Sequence, residues 1–202
     1  IVLFFTADWC PDCQFIYPSL PEIEDAFADF RFVRVWWETN GSGWIGFAKG
    51  GAYSPFYADV YLLVNWSGDG SEIKNNLNEK GAVRSNVWML RDTAVNFFKR
   101  PGLTWPRRTT SGISVRAMPN GCIFGDKGPA VFVPDNSSDD LLALLALTNS
   151  RSFSILIELQ LAAADAAARS YEVGVIQRTP VPTLTEAQRK QLASRAEEHT
   201  SE

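Results

Sequence analysis

At 202 residues with 46% hydrophobic side chains, the chain is long and apolar enough to bury the core of one ordinary domain or two small ones, which excludes disorder over most of it. Its longest apolar stretch, residues 141–161, is interrupted by Arg151 and Glu158, so no membrane span is expected. The net charge of -4 conceals an uneven distribution: residues 1–35 hold six acids against Arg31 and Arg34, whereas residues 84–127 hold eight cations against Asp92 and Asp126. That basic block is where an anionic partner is to be sought. The apolar first residues have neither a basic leader nor a small-residue cleavage site, so no signal peptide is predicted. The absence of an initiating Met raises the expectation of a fragment. Cys10 and Cys13 form one close pair and Cys122 stands alone, which fits a cytoplasmic protein with one redox or metal pair and a third cysteine buried as a small core residue.

In chain order, the apolar β-rich runs 1–5 and 31–37 predict buried strands, and residues 11–27, with Phe15, Ile16, Leu20, Ile23 and Phe27 on one face and Pro18 as a kink, predict the helix between them. Together they make a compact βαβ unit with parallel strands. Residues 38–55 are rich in Gly, Ser and aromatics and predict a loop. Within it, Gly41 to Gly46 satisfies G-x-G-x-x-G, but Gly50, Gly51 and Pro55 argue against the helix that a dinucleotide site needs. A strand is predicted over 60–66, closed by the turn Ser67-Gly68-Asp69-Gly70. A helix over 83–98 ends at Lys99-Arg100-Pro101-Gly102. Short strands follow over 113–116, 121–124 and 130–133. Ser137 or Ser138 caps a long helix running to about residue 168, with Asp139 and Asp140 at the positive end of its dipole. It is apolar nearly all round and so expected to be buried. Residues 171–176 predict a strand, 179–182 an extended connector, and 186–198 a polar terminal helix that frays. The fold class expected is α+β (mixed).

Trp9-Cys10-Pro11-Asp12-Cys13 places a Cys-x-x-Cys at the start of a helix, where the dipole and unpaired amides stabilise a thiolate. Cys10 would attack a disulfide and Cys13 would resolve the mixed intermediate. A structural metal pair is disfavoured because no second pair completes a zinc site. With Pro18 five residues past Cys13, the segment resembles the N-terminal unit of the thioredoxin superfamily. It departs from that family at Phe4, where many members carry a buried acid. Pro119, in a Met-Pro before an apolar strand, lies too far along the chain to serve as that fold's cis-proline.

Lys99-Arg100 and Arg107-Arg108 flank Trp105 on a loop bounded by Pro and Gly. Cations on one surface suit phosphates, and the arginine fork suits guanine edges. The tryptophan packs beneath such a loop or stacks on nucleic acid. Four blocks in order, at 47–57, 100–109 (Arg-Pro-Gly-Leu-Thr-Trp-Pro-Arg-Arg-Thr), 121–128 (Gly-Cys-Ile-Phe-Gly-Asp-Lys-Gly) and 164–176 leading into Pro180-Val181-Pro182, resemble the region downstream of the catalytic domain in adenine-specific DNA methyltransferases of the phage-defence (BREX) type and the fused type IIG restriction-modification enzymes.

That resemblance implies a role in positioning and recognising duplex DNA, carried here by Lys99, Arg100, Trp105, Arg107, Arg108, Arg116, Lys127 and Arg169. It also implies a separate methyl-transfer domain as partner, with S-adenosylmethionine needed only there. The sequence contains no Pro-Pro pair, hence no Asn/Asp-Pro-Pro-aromatic motif. The divisions expected are a thioredoxin-like βαβ fragment over 1–35, a mixed α/β target-recognition-like region over 36–184, and a polar tail over 185–202. The expected function is DNA recognition within a methyltransferase of restriction-modification or phage-defence type, without membrane contact. The alternative is a thiol-disulfide oxidoreductase using Cys10 and Cys13, and a fusion, fragment or chimera with neither activity stays open. His199, the single histidine, sits in the polar tail and gives no support to a catalytic pair.

Overall fold

The computed structural model describes residues 31–39, 41–83, 95–161 and 169–200. The Cys-x-x-Cys with its strand over 1–5 and helix over 11–27 lies outside the described residues, as does most of the helix expected over 83–98. Among the described residues the chain is mixed, with short strands in three sheets and helices concentrated towards the C-terminus, an α+β fold.

The first sheet contains β1 (Val33–Val35), β2 (Trp44–Ala48), β3 (Leu62–Asn65) and β7 (Ile123–Phe124) in the order β1-β3-β2-β7. β3 is antiparallel to both β1 and β2, whereas β7 joins β2 in parallel. Val33–Val35 is thus hydrogen-bonded to a strand from the middle of the chain. The loop expected over 38–55 is interrupted by β2, a strand hidden in the sequence by Gly46. A side chain at 46 would meet the Cys122 sulfur at 2.9 Å, so the missing Cβ permits the approach of the 122–124 segment. Cys122 is buried, and burial pushes its thiol pKa up. Phe47, Val64, Trp66 and Ile123 form the core on this sheet.

The turn expected over 67–70 is present as three left-handed residues, Gly68, Asp69 and Gly70 (φ 56°, 61° and 75°), inside α1 (Ser67–Lys74). At Gly70 any side chain would sit 3.0 Å from the Trp66 ring.

β4 (Gly102–Thr104) is the centre of the second sheet, antiparallel to β6 (Arg116–Met118) and β8 (Ala130–Val131). The strand expected over 113–116 therefore begins later than its apolar pattern suggests. Ile113 and Val115 are buried, but Val115 pairs with a side chain: its N–H donates to Asn149 Oδ1 (3.1 Å) and its carbonyl accepts from Asn149 Nδ2 (2.7 Å).

Asn149 also ends the first helix, which corrects the expectation of one long buried helix. α2 (Ser138–Thr148) and α3 (Arg151–Gln160) meet at a 65° bend. Each has its own cap: Ser137 accepts from the Asp140 N–H and Ser150 from the Phe153 N–H. The serine at 150, in an extended conformation, breaks the helix because its hydroxyl satisfies an amide that a continuing helix would have used. Nor is the run buried throughout, since Ile155, Leu156 and Leu159 of α3 face solvent, Leu159 at 74% exposure. No single helix among the described residues is long and apolar enough to cross a membrane.

Two further expectations are corrected. Within 171–176 the chain enters α4 (Val173–Arg178), with Glu172 extended before it and the Glu172 carbonyl accepting from the Val175 and Ile176 N–H groups (2.9 and 3.3 Å). The polar terminal helix, α5 (Glu186–Thr200), does not fray but packs along α2. Ala193 and Ala196 are small enough to bring the helices together, and Arg189 reaches Asp140 at 2.9 Å. Thr185 and Gln188 make a reciprocal capping box at its start. His199 consequently lies against the Phe56 ring, 4.7 Å between centroids.

Candidate nucleic-acid interface

The basic block is organised by β4, which has Lys99 and Arg100 before its start and Trp105-Pro106-Arg107 after its end. The segment beyond the strand is fastened from two sides. The Arg107 N–H donates to the Lys127 carbonyl (3.1 Å), and the Arg107 carbonyl accepts from the Tyr171 N–H (2.6 Å). Thr104 Oγ1 donates to the Pro129 carbonyl (2.9 Å). Gly128 is wedged against the end of β2, where a Cβ would meet Ala48 O and Gly50 N at 2.6 Å. These contacts fix the Gly-Asp-Lys-Gly turn at 125–128 beside the arginine pair. β5 (Arg108–Thr109) then pairs with β9 (Arg169–Ser170), setting Arg108 opposite Ser170 and Thr109 opposite Arg169.

Arg107, Arg108, Lys127 and Arg169 are therefore brought together, while Lys99 and Arg100 lie at the other end of β4. Six residues lie between Arg100 and Arg107, which places their Cα atoms up to about 23 Å apart when extended. Trp105 is a core residue, 2% exposed, and its Nε1–H donates to the Tyr171 carbonyl (2.8 Å). It packs beneath the loop.

The cations differ in what holds them. Arg107 Nη1 meets Asp126 Oδ1 at 2.6 Å, with Glu172 3.8 Å from its Nε. Arg169 pairs with Glu158 at 2.7 Å, and that hydrogen bond pushes its pKa up. Arg100 donates from Nε to Asn136 Oδ1 (2.8 Å) and from Nη2 to the Val133 carbonyl (3.1 Å), its guanidinium lying over the Phe97 and Phe132 rings. It is a clasp between the start of β4 and the 133–136 segment. Lys99, Arg108 and Lys127 are exposed and form no ion pair among the described residues. Lys99 adopts φ 64° and its backbone bonds to both Gly121 and Cys122, so its position is fixed even though its side chain is free to turn.

Arg116 stands apart. It lies on β6 opposite Thr104 and is 5% exposed, buried beside the Gly50-Gly51 bend. Burial pulls its pKa down, and the neighbouring Tyr61 opposes that shift. Sequence reasoning placed it with the surface cations; the alternation in Val115-Arg116-Ala117-Met118 was the available signal that it sits in a buried strand. Glu172, which approaches Arg107, and Glu158, which pairs with Arg169, were also missed, because both lie far along the chain.

The G-x-G-x-x-G run ends within β2 rather than at a helix, so it offers no helix N-terminus to a pyrophosphate. Among the described residues no group of three or more His, Cys, Asp or Glu side chains is arranged to hold a metal ion.

No protein-family model matches the chain. It is similar to the adenine-specific methyltransferase PglX of Lacticaseibacillus casei (strain Zhang), with 32% identity over 117 residues, 57% of this chain and 9% of that protein. It is also similar to the adenine-specific methyltransferase BrxX of Escherichia coli O9:H4 (strain HS), with 28% identity over 130 residues, 59% of this chain and 10% of that protein. The matched part spans about a tenth of the length of each of these relatives.

Proposed function

We propose that this chain is a duplex-DNA contacting module of an adenine-specific methyltransferase system, holding the DNA backbone while methyl transfer is carried out by a separate catalytic domain. The observation that carries the reading is the similarity to two adenine-specific methyltransferases over more than half of the chain. The geometry favours a division of labour among the cations. Lys99, Arg108 and Lys127 make the phosphate contacts, because they are exposed and without ion pairs among the described residues. Arg107, Arg169 and Arg100 hold the 105–107, 125–128 and 169–172 segments and the 133–136 segment in register, and Trp105 anchors the loop from below.

Phosphate contacts of this kind position a protein on DNA without reading its sequence. The test is anisotropy of a labelled duplex titrated with the protein at low salt. The double variant Arg108→Ala/Lys127→Ala is expected to bind at least tenfold more weakly than wild type. Wild-type protein that leaves the anisotropy unchanged would refute the reading.

A further inference from the structure

Among the described residues, Arg116 combines three properties: near-complete burial, a guanidinium nitrogen (Nη2) with no protein acceptor, and a position on the wall of a cleft. Its other terminal nitrogen reaches only the Ala52 carbonyl, at 3.4 Å. Leaving a buried cationic donor unmatched is costly, and substituting an apolar chain of similar length is commonly neutral or stabilising. A guanidinium so placed calls for a ligand that supplies the acceptor.

The cleft is narrow and open to solvent, and it lies between β2, residues 58–62, Thr104 and Arg116. Lys49 is a second cation on its wall, and Tyr61 is a half-exposed ring there. The one carboxylate on the wall, Asp59, is exposed, already accepts the Tyr57 hydroxyl (2.6 Å) and forms no ion pair with Arg116. Gly51 lies beside the guanidinium: with φ 129° it tolerates few side chains, and a Cβ there would lie 3.6 Å from Nη2.

We infer that this cleft is a phosphoryl-binding subsite in which Arg116 Nη2 donates to a phosphate oxygen. The inference rests on the nucleic-acid reading only for the source of that phosphate, the backbone of bound DNA. The planar fork of arginine matches phosphate geometry, and the one carboxylate on the wall is already engaged by the Tyr57 hydroxyl.

Inorganic phosphate is the probe, titrated into the full chain at constant ionic strength with chloride, and with acetate as the carboxylate control. In the wild type the melting temperature is expected to rise about 3–6 °C at phosphate roughly tenfold above half-saturation. The Arg116 side-chain Nε–H resonance should move with phosphate and not with acetate, a readout that needs no variant. Arg116→Met should abolish the thermal response while melting at or above the wild-type temperature. An equal response in Arg116→Met, a stationary resonance, or an equal shift with acetate would each overturn the assignment. Should the phosphate response be present while duplex DNA fails to bind, the nucleic-acid reading falls and the subsite stands.

Discussion

Trp105 and Arg107 are two residues apart in one loop, and the pair separates structural from interfacial roles at the level of single side chains. Trp105 fills the core beneath the loop and satisfies the Tyr171 carbonyl. Trp105→Ala is expected to cost about 3–5 kcal/mol in urea unfolding, and Trp105→Phe about 1–3 kcal/mol, because the ring is largely kept and the buried carbonyl loses its donor. Arg107 is held by Asp126, with both side chains about a quarter exposed, so the ion pair contributes only about 0.5–1 kcal/mol. Asp126→Ala therefore changes stability little, but it removes a negative charge beside Lys127 and releases a cation. Duplex affinity at low salt should rise several-fold; an affinity that falls would show that Arg107 must stay clamped. The local basic excess was legible in the sequence, since charge can be counted. Which cations are matched was not, because Glu158 meets Arg169 only after α3 and β9 are in place.

Among the elements, the two helices at 138–160 illustrate how composition misleads when capping is ignored. The apolar run reads as one helix, yet Asn149-Ser150 ends one and starts the next, the amide of Asn149 acting as a strand partner for Val115. Ser150→Ala should cost about 1 kcal/mol, measured by chemical denaturation, and an unchanged midpoint would mean that the cap is dispensable. The Thr185-Glu186-Ala187-Gln188 capping box marks the start of α5. Its docking was not readable: Ala193 and Ala196 look like mere helix formers until α2 is placed beside them. Ala196, fully buried, predicts that Ala196→Leu loses about 1–3 kcal/mol through overpacking, whereas a fraying tail would tolerate it. Strands β1, β3, β6, β7 and β8 lie within a few residues of their expected positions, whereas β2 was missed because Gly46 interrupts its pattern, and β4, β5 and β9 were not expected at all.

For the molecule as a whole, among the six described cations of the basic block, Lys99, Arg108 and Lys127 are exposed and without an ion pair to a described residue, at the two ends of β4. That arrangement suits holding a backbone at two points more than reading bases. With Lys99, Arg108 and Lys127 as the exposed contacts, about three condensed counterions should be displaced on binding, and about one more where Arg116 also meets a DNA phosphate. The central claim is tested most directly by the salt dependence of duplex affinity, measured on wild type and on Arg108→Ala/Lys127→Ala over one chloride series. The account predicts a log–log slope of about -3 to -4 for the wild type and about -1 to -2 for the double variant. A duplex affinity that is absent, or indifferent to salt in both proteins, would contradict it.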